Sequence, residues 1–256
     1  MDSLSQFSLA GRRALVTGSS RGIGFAIATA LAGAGADIIL NARDKVALGE
    51  AAAKLAEGGA RARAVAFDVT NSESVRDAVD YIEGEIGPID ILVNNAGMQH
   101  RAPLEDCPED MFERVMATNL NSVFIVGQAV GRKMIPRGKG KIINISSLVS
   151  TVARKTIAPY AASKAAVSNL TRAMAVEWAP HGINTNGIAP GYFKTELNEA
   201  LMANPEFNAW VEARTPAGRW GDVAELGGAA IFLASDAASF VNGHILYVDG
   251  ALMATI

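Results

Sequence analysis

Short runs of apolar and β-branched residues alternate along the chain with longer segments of helical periodicity. Seven runs predict β-strands: RALVTG (13–18), ADIILNA (36–42), ARAVAFDV (62–69), IDILVNNA (89–96), KIINISS (141–147), INTNGIAP (183–190) and HILYVDG (244–250). Helices are predicted over 22–33, 45–57, 72–85, 108–135, 159–179 and 223–234. This alternation is typical of βαβ units, so the pattern predicts an α/β fold, a doubly wound parallel sheet of about seven strands flanked by helices.

The length of the chain favours a single domain. A chain of 256 residues with 50% hydrophobic content can bury the core of one large α/β domain, which we expect to span 1–256. One stretch, 191–221, is too long for an ordinary connection and follows the sixth predicted strand. We interpret it as a lid over the carboxyl ends of the strands, where doubly wound sheets bind ligands.

Charge and cysteine content exclude several classes of function. The net charge of -3 and the lack of a long basic run argue against a nucleic-acid partner. No uncharged apolar run reaches the roughly 18 residues of a membrane span, and no metal site is predicted. The single Cys107 cannot form an internal disulfide, and MDSLSQF lacks the features of a signal peptide. The expected compartment is the cytoplasm.

The stretch ALVTGSSRGIGFA (14–26) fits two chemistries. Its G-x-S-x-G pattern is that of a hydrolase nucleophile elbow, which requires an acid and then a histidine later in the chain. The three histidines, His100, His181 and His244, offer no such arrangement. The T-G-x-x-x-G-x-G spacing instead predicts a Rossmann-type glycine turn that brings a dinucleotide pyrophosphate to a helix N-terminus.

Three further motifs follow in a fixed order: NNAG at 94–97, NISS at 144–147 and YAASK at 160–164. With them, the sequence resembles the short-chain dehydrogenase/reductase family over essentially its whole length. The resemblance implies hydride transfer between a CH–OH group and a nicotinamide cofactor. It also implies four catalytic residues: Asn119, Ser147, Tyr160 and Lys164.

The tyrosine and lysine have a clear chemical rationale. A phenol with a pKa of about 10 is a poor base at neutral pH unless the phenolate is stabilised. Lys164 stands one helical turn after Tyr160, so its ammonium is expected to favour the phenolate. By resemblance, Lys164 also holds the nicotinamide ribose, Ser147 hydrogen-bonds the substrate oxygen, and Asn119 supports a water that relays the proton.

Cofactor choice is predicted at the end of the second strand. Relatives that use NAD carry an aspartate where this chain has Ala42, and Arg43 follows it. Arg21 adds a second cation in the glycine turn, so NADP is predicted to be preferred and NAD possible. The predicted cofactor-binding residues are Gly18, Ser20, Arg21, Gly22, Ile23, Gly24, Asn41, Arg43, Asp68, Val69, Asn95, Ala96, Gly97, Tyr160, Lys164, Pro190, Gly191 and Thr195.

The substrate is harder to predict because family members share the relay and differ in the crevice lining. The stretches DILVNNAGMQHRAPLED, APGYFKTELNEAL, RTPAGRWG and SFVNGHILYVDG are similar to members that interconvert a hydroxy and a keto sugar acid. We expect Arg101 to bind the substrate carboxylate, His100 or Gln99 to contact a hydroxyl, and Ser147 and Tyr160 to bind the reacting oxygen.

Two alternative functions fit the same residues. A 3-oxoacyl-thioester reductase would have much the same catalytic core, and a catalytically silent NADP-binding sensor would share the fold. The long predicted helices and the apolar closing segment HILYVDGALMATI also favour a homotetramer, partly by analogy to the family.

Overall fold

The computed structural model describes residues 4–255, except for the side chain of Leu197. Residues 1–3 and Ile256, which the predicted domain includes, lie outside this range. All seven predicted strands form one sheet, and every pair of neighbours is parallel. The strands are β1 (Arg13–Val16), β2 (Asp37–Leu40), β3 (Ala62–Ala64), β4 (Ile91–Asn94), β5 (Gly140–Ile145), β6 (Ile183–Pro190) and β7 (Ile245–Val248).

Helices cover both faces of the sheet. They are α1 (Gly22–Gly33), α2 (Lys45–Glu57), α3 (Ser72–Tyr81), α4 (Glu109–Met116), α5 (Ser122–Arg137), α6 (Ala158–Trp178), α7 (Glu199–Met202), α8 (Pro205–Arg214) and α9 (Leu226–Ala234). Among the described residues, no helix is long and apolar enough to cross a membrane.

The alternation of side chains along each strand divides the core into two layers. Ala14 and Val16 of β1 pack in a cluster with residues of α1 and α9, whereas Leu15 packs in a second cluster with residues of α3 and α5. Both faces of the strands are therefore buried, which explains their nearly continuous apolar sequences.

The order of the strands is β3-β2-β1-β4-β5-β6-β7, so β1 lies between β2 and β4. The chain leaves β1 toward one side of the sheet and later returns to the other side, which creates a crevice at the carboxyl ends of β1 and β4. This is the doubly wound sheet expected from the sequence.

The helices differ from the sequence prediction in two places. The predicted helix 108–135 is interrupted by a π-helical turn at Ala117–Asn121, and the predicted helix 72–85 ends in a second π-helical turn at Ile82–Ile86. A π turn adds a residue to the helical repeat and turns side chains to a different face, which the apolar periodicity does not reveal.

The segment 191–221 is more ordered than the sequence suggests. It contains α7 and α8, and the side chain of Asn204 caps α8 by accepting from the Phe207 amide at 3.1 Å. Pro205 occupies the first turn, where the missing amide proton costs nothing. The segment begins directly after β6, at the same edge of the sheet as the crevice.

Candidate active site

The glycine turn joins β1 to the N-terminus of α1. Gly22 has a φ of +59°, and a Cβ atom there would meet no atom within 4 Å, so open space lies in front of the turn. Gly24 is required for a different reason, because a Cβ atom there would lie 2.5 Å from the Gly18 carbonyl oxygen. No side chain of the described residues caps the first amides of α1. These amides and the space before them suit a phosphate group.

Asn95 and Ala96, which follow β4, hold the glycine turn in place. Asn95 donates from its side-chain amide to the carbonyl oxygens of Thr17 at 3.0 Å and Gly18 at 2.8 Å. The Thr17 hydroxyl accepts from the backbone amides of Asn95 at 3.0 Å and Ala96 at 3.1 Å. Asn95 and Ala96, predicted as cofactor contacts, thus also hold the glycine turn. The structural role of Thr17 was not predicted, although it stands in the T-G pair of the motif.

The end of β2 carries the residues predicted to recognise the adenosine part of the cofactor. Asn41 is buried, and its side chain donates to the Phe67 carbonyl oxygen at 3.1 Å, which ties β2 to the segment after β3. Arg43 is exposed and has no ion pair among residues 4–255. Arg21 is also exposed, but it forms an ion pair of 3.1 Å with Glu196. Of the two predicted phosphate-binding cations, only Arg43 is therefore unpaired in the described part of the chain.

Asp68 lies near Arg43. Burial raises the pKa of the Asp68 carboxyl group, but hydrogen bonds from Thr70 and the charge of Arg43 outweigh it and lower the pKa below its ordinary value. The carboxylate accepts from the Thr70 amide at 2.9 Å and from its hydroxyl at 2.7 Å. Val69 beside it is buried.

Ser147, Tyr160 and Lys164 converge at the carboxyl end of β5. Ser147 starts a 3₁₀ turn just after β5, where its hydroxyl accepts from the Val149 amide at 3.4 Å and lies near enough to Tyr160 to act on the pKa of the phenol. Lys164 lies one turn further along α6, where its Nζ donates to the Ile145 carbonyl oxygen at 2.6 Å and lies 5.7 Å from the centroid of the Tyr160 ring. The three predicted residues are thus brought together.

Burial and two neighbouring side chains act on the pKa of Tyr160. Burial raises this pKa and outweighs the effects of Ser147 and of the charge of Arg101, which both lower it. Burial also lowers the pKa of Lys164 to about 8. The charge of Arg101 thus favours the phenolate, and the Lys164 ammonium, close to the Tyr160 ring, donates to the Ile145 carbonyl.

Asn119 occupies the π turn between α4 and α5 and is fully buried. Its side-chain amide donates to the Met98 carbonyl oxygen at 2.9 Å and to the Ser163 hydroxyl at 3.0 Å, and its oxygen accepts from the Met98 amide at 2.7 Å. Asn119 therefore joins the loop after β4 to α6, one residue away from Lys164.

A cavity of about 110 Å³ opens beside Ser147 and Tyr160. Its lining includes the predicted residues Ile23, Arg101, Pro190, Gly191 and Thr195, together with Gln99. His100 is not part of the lining, although both its chain neighbours are. The remaining lining residues are Ile145, Ser146, Leu148, Val149, Arg154, Ile157, Tyr192, Phe193, Asn198 and Leu201.

The polar groups of this cavity include an unpaired hydroxyl and two unpaired cations. The Thr195 hydroxyl is buried and has no hydrogen-bond partner among the described residues. Arg101 and Arg154 form no ion pair within residues 4–255, and no aspartate or glutamate lines the cavity. Burial and the charge of Arg154 lower the pKa of Arg101. Sequence reasoning missed Arg154, which stands in a loop without a recognisable motif.

The described residues contain no cluster of three side chains suited to hold a metal ion. A site built from a glycine turn, a buried Ser–Tyr–Lys group and cationic side chains has the parts needed to hold a dinucleotide next to an anionic substrate.

Comparisons with known proteins agree with this geometry. A family model described as enoyl-(acyl carrier protein) reductase matches residues 18–252. The chain is 54% identical to gluconate 5-dehydrogenase of Gluconobacter oxydans and 52% identical to 5-keto-D-gluconate 5-reductase of Escherichia coli, with 98% of each chain covered in both cases. A solved structure of a gluconate 5-dehydrogenase from Burkholderia cenocepacia, in complex with NADP and tartrate, superposes with a TM-score of 0.97 at 54% identity and covers 99% of both chains.

Proposed function

Because the chain belongs to the short-chain dehydrogenase/reductase family of oxidoreductases, we propose that it interconverts D-gluconate and 5-dehydro-D-gluconate by hydride transfer. The observation that carries the proposal is the cavity beside Ser147 and Tyr160, whose charged groups are two arginines and no carboxylate. Such a cavity suits a small polyhydroxy acid better than the apolar chain of an acyl thioester. The high similarity to a gluconate 5-dehydrogenase and a 5-keto-D-gluconate 5-reductase supports the same substrate.

NADP(H) is the preferred cofactor in this proposal, and NAD(H) is a possible substitute. Two features of the chain fit the dinucleotide: the open space at Gly22 before the uncapped amides of α1, and the buried unpaired hydroxyl of Thr195. Arg43 would bind the 2′-phosphate, the α1 amides the pyrophosphate, and Thr195 the nicotinamide amide. The relative that was solved in complex with NADP supports this choice.

In the oxidation direction, Tyr160 accepts the proton of the substrate hydroxyl and Ser147 donates a hydrogen bond to the same oxygen. Arg101 binds the carboxylate at the far end of the substrate. Lys164 holds a positive charge next to the Tyr160 ring, and Asn119 fixes α6 relative to the loop after β4. The bound cofactor supplies the hydride acceptor. The 191–221 segment acts as a lid over this site.

We also propose that the protein is a cytoplasmic homotetramer. Several large apolar side chains are exposed on the helices and before β7: Phe112, Phe124, Val176 and Phe240. Exposed apolar surface marks protein–protein interfaces where it forms contiguous patches, and most soluble oligomers are symmetric. Light scattering is expected to give four times the chain mass of 26.7 kDa, and a monomer at micromolar concentration would contradict the assembly.

An assay of NADPH oxidation tests the function. We expect rapid oxidation with 5-keto-D-gluconate and little with 3-oxoacyl thioesters, followed by absorbance at the nicotinamide band. Turnover of the thioester alone would assign the chain to acyl reduction, and NADPH binding without turnover of any substrate would make it a sensor.

A further inference from the structure

Arg154 lies on the loop between the 3₁₀ turn after β5 and α6, and it lines the cavity beside Ser147 and Tyr160. Its guanidinium carbon lies 4.9 Å from the centroid of the Phe207 ring, at a distance typical of a cation–π interaction. Phe207 belongs to α8, so the contact joins the catalytic side of the cavity to the 191–221 segment.

Phe207 is itself held by an aromatic cluster. The Tyr192 ring packs edge-on against Phe207 at 5.7 Å and against Trp220 at 5.5 Å, and the Trp210 ring lies 5.4 Å from Phe207. The Trp220 indole donates to the Asn208 side chain at 2.7 Å, which fixes the cluster to α8. A side chain that rests on this cluster has a defined position, unlike an arginine on a solvated loop.

Arg154 lies close enough to Arg101 for its charge to lower the pKa of Arg101. Two like charges beside one half-buried cavity repel each other, and within residues 4–255 neither guanidinium has a carboxylate partner. An anion between the two groups would offset this repulsion. The cavity is therefore built for a negatively charged ligand.

We propose that Arg154 binds the substrate carboxylate together with Arg101 and selects an acid over a neutral ketose, with Phe207 as its positioning residue. The inference rests on the proposed function, since it concerns the carboxylate of the keto sugar acid. Two guanidinium groups offer a carboxylate more donors than its two oxygens need, which leaves donors for a neighbouring hydroxyl of the substrate.

The experiment compares 5-keto-D-gluconate with L-sorbose, which has the same chain with a hydroxymethyl group in place of the carboxylate. Arg154→Gln is expected to raise KM for the keto acid about tenfold or more, as loss of a charge-assisted contact does, and to leave KM for L-sorbose nearly unchanged. Lys155→Gln removes the same charge from the adjacent exposed position, outside the cavity lining, and is the matched control.

A binding measurement separates the inference from turnover. Calorimetric titration of D-gluconate into the enzyme loaded with NADPH reads the affinity of a complex that cannot react. Arg154→Gln is expected to weaken this affinity by the same factor as KM. Arg154→Met, which keeps the apolar stem over Phe207, replaces Arg154→Gln if that variant does not fold.

The role of Phe207 has its own readout. Phe207→Leu is expected to raise KM for the keto acid with little change in kcat, and Phe207→Tyr is expected to restore it, since a phenol ring retains the cation–π contact. If Arg154→Gln changes KM for the acid and for L-sorbose equally, or changes neither, the inference is wrong and the proposed function stands. If the unmodified enzyme neither reduces the keto acid nor binds D-gluconate, the proposed function itself is wrong and the inference falls with it.

Discussion

The two halves of the crevice are organised in different ways. In the cofactor half, at the ends of β1 and β4, the polar groups of Thr17 and Asn95 are satisfied by the backbone of the glycine turn. In the substrate half, beyond β5 and β6, Arg101 and Arg154 have no ion-pair partner among the described residues. The glycine turn is thus held by hydrogen bonds within the protein, whereas the two arginines of the substrate half have no such partner.

The difference indicates what each half contributes to specificity. A rigid glycine turn can bind the pyrophosphate that all nicotinamide dinucleotides share, because backbone amides approach it at fixed positions. The substrate half holds unpaired charges that an anion would neutralise, so we expect it to discriminate between substrates by the cost of leaving those charges unpaired. The ion pair between Arg21 and Glu196 joins the two halves at 3.1 Å.

Tyr160→Phe should produce the largest loss of kcat, because Tyr160 lies where the two halves of the crevice meet. Loss of the ionisable oxygen is expected to lower kcat by about 10²–10⁴-fold, the usual contribution of a general base, while the ring keeps its packing. NADPH affinity, followed by the fluorescence of the bound nicotinamide, is expected to change little. Near-normal turnover across the pH range would show that another group takes the proton.

The double variant Ala42→Asp with Arg43→Leu alters the cofactor half alone. It removes the pairing with the 2′-phosphate and adds an acceptor for the ribose hydroxyl, each worth about 1.5–3 kcal/mol. The ratio of kcat/KM for NADP over NAD is expected to fall about 100-fold or more. Arg21→Gln alone is expected to have the smaller effect, since Arg21 already pairs with Glu196. A wild-type enzyme that prefers NAD would overturn the assignment.

Lys164→Met tests how much burial of the Lys164 ammonium lowers the free energy of unfolding. In the unfolded chain the pKa of Lys164 is near 10.5, and burial lowers it to about 8 in the native state. Between these values the unfolded state binds more protons, so the free energy of unfolding of the wild type should rise with pH, by up to about 3 kcal/mol in total.

Lys164→Met lacks the ammonium group, so its free energy of unfolding should not show this rise with pH. Urea unfolding of both proteins at pH 7 and at pH 10 is expected to show the wild type gaining stability relative to Lys164→Met as the pH increases. Parallel changes in the two proteins would mean that Lys164 titrates normally and is not penalised by burial.

Sequence reasoning succeeded best in placing the motifs on the fold. The glycine turn and the NNAG and NISS motifs stand directly at strand ends, so the strand pattern alone places them at one edge of the sheet. YAASK could be placed on α6 because the Tyr160 and Lys164 spacing is one helical turn. These features depend on neighbours in sequence.

The parts that could not be predicted depend on distant contacts. The π turn at Asn119 is held by Met98 and Ser163, which are 21 and 44 residues away in the chain. The position of Arg154 depends on its contact with Phe207, which lies in a segment that the sequence predicted to be irregular. Gln99 and Arg101 line the cavity, whereas His100 between them does not. The sequence of a loop does not specify which of its side chains face a cavity.

Arg101→Gln should produce the smallest effect, a change in pH dependence that couples the two halves. Burial raises the pKa of Tyr160, and the positive charge of Arg101 partly offsets it. Removal of that charge is therefore expected to raise the pKa of Tyr160 further, by less than about one unit, since the two groups interact across a solvated cavity. Oxidation needs the phenolate, so its rising limb should move to higher pH. Reduction needs the phenol, so it should persist to higher pH than in the wild type.

The measurement is kcat against pH in both directions with saturating substrate, which separates this shift from the loss of carboxylate binding that raises KM. Arg101→Lys keeps the charge and should keep the wild-type profile, while Lys155→Gln should leave it unchanged. An unchanged profile in Arg101→Gln would mean that Arg101 does not act on the base, and that the two halves of the crevice are electrostatically independent.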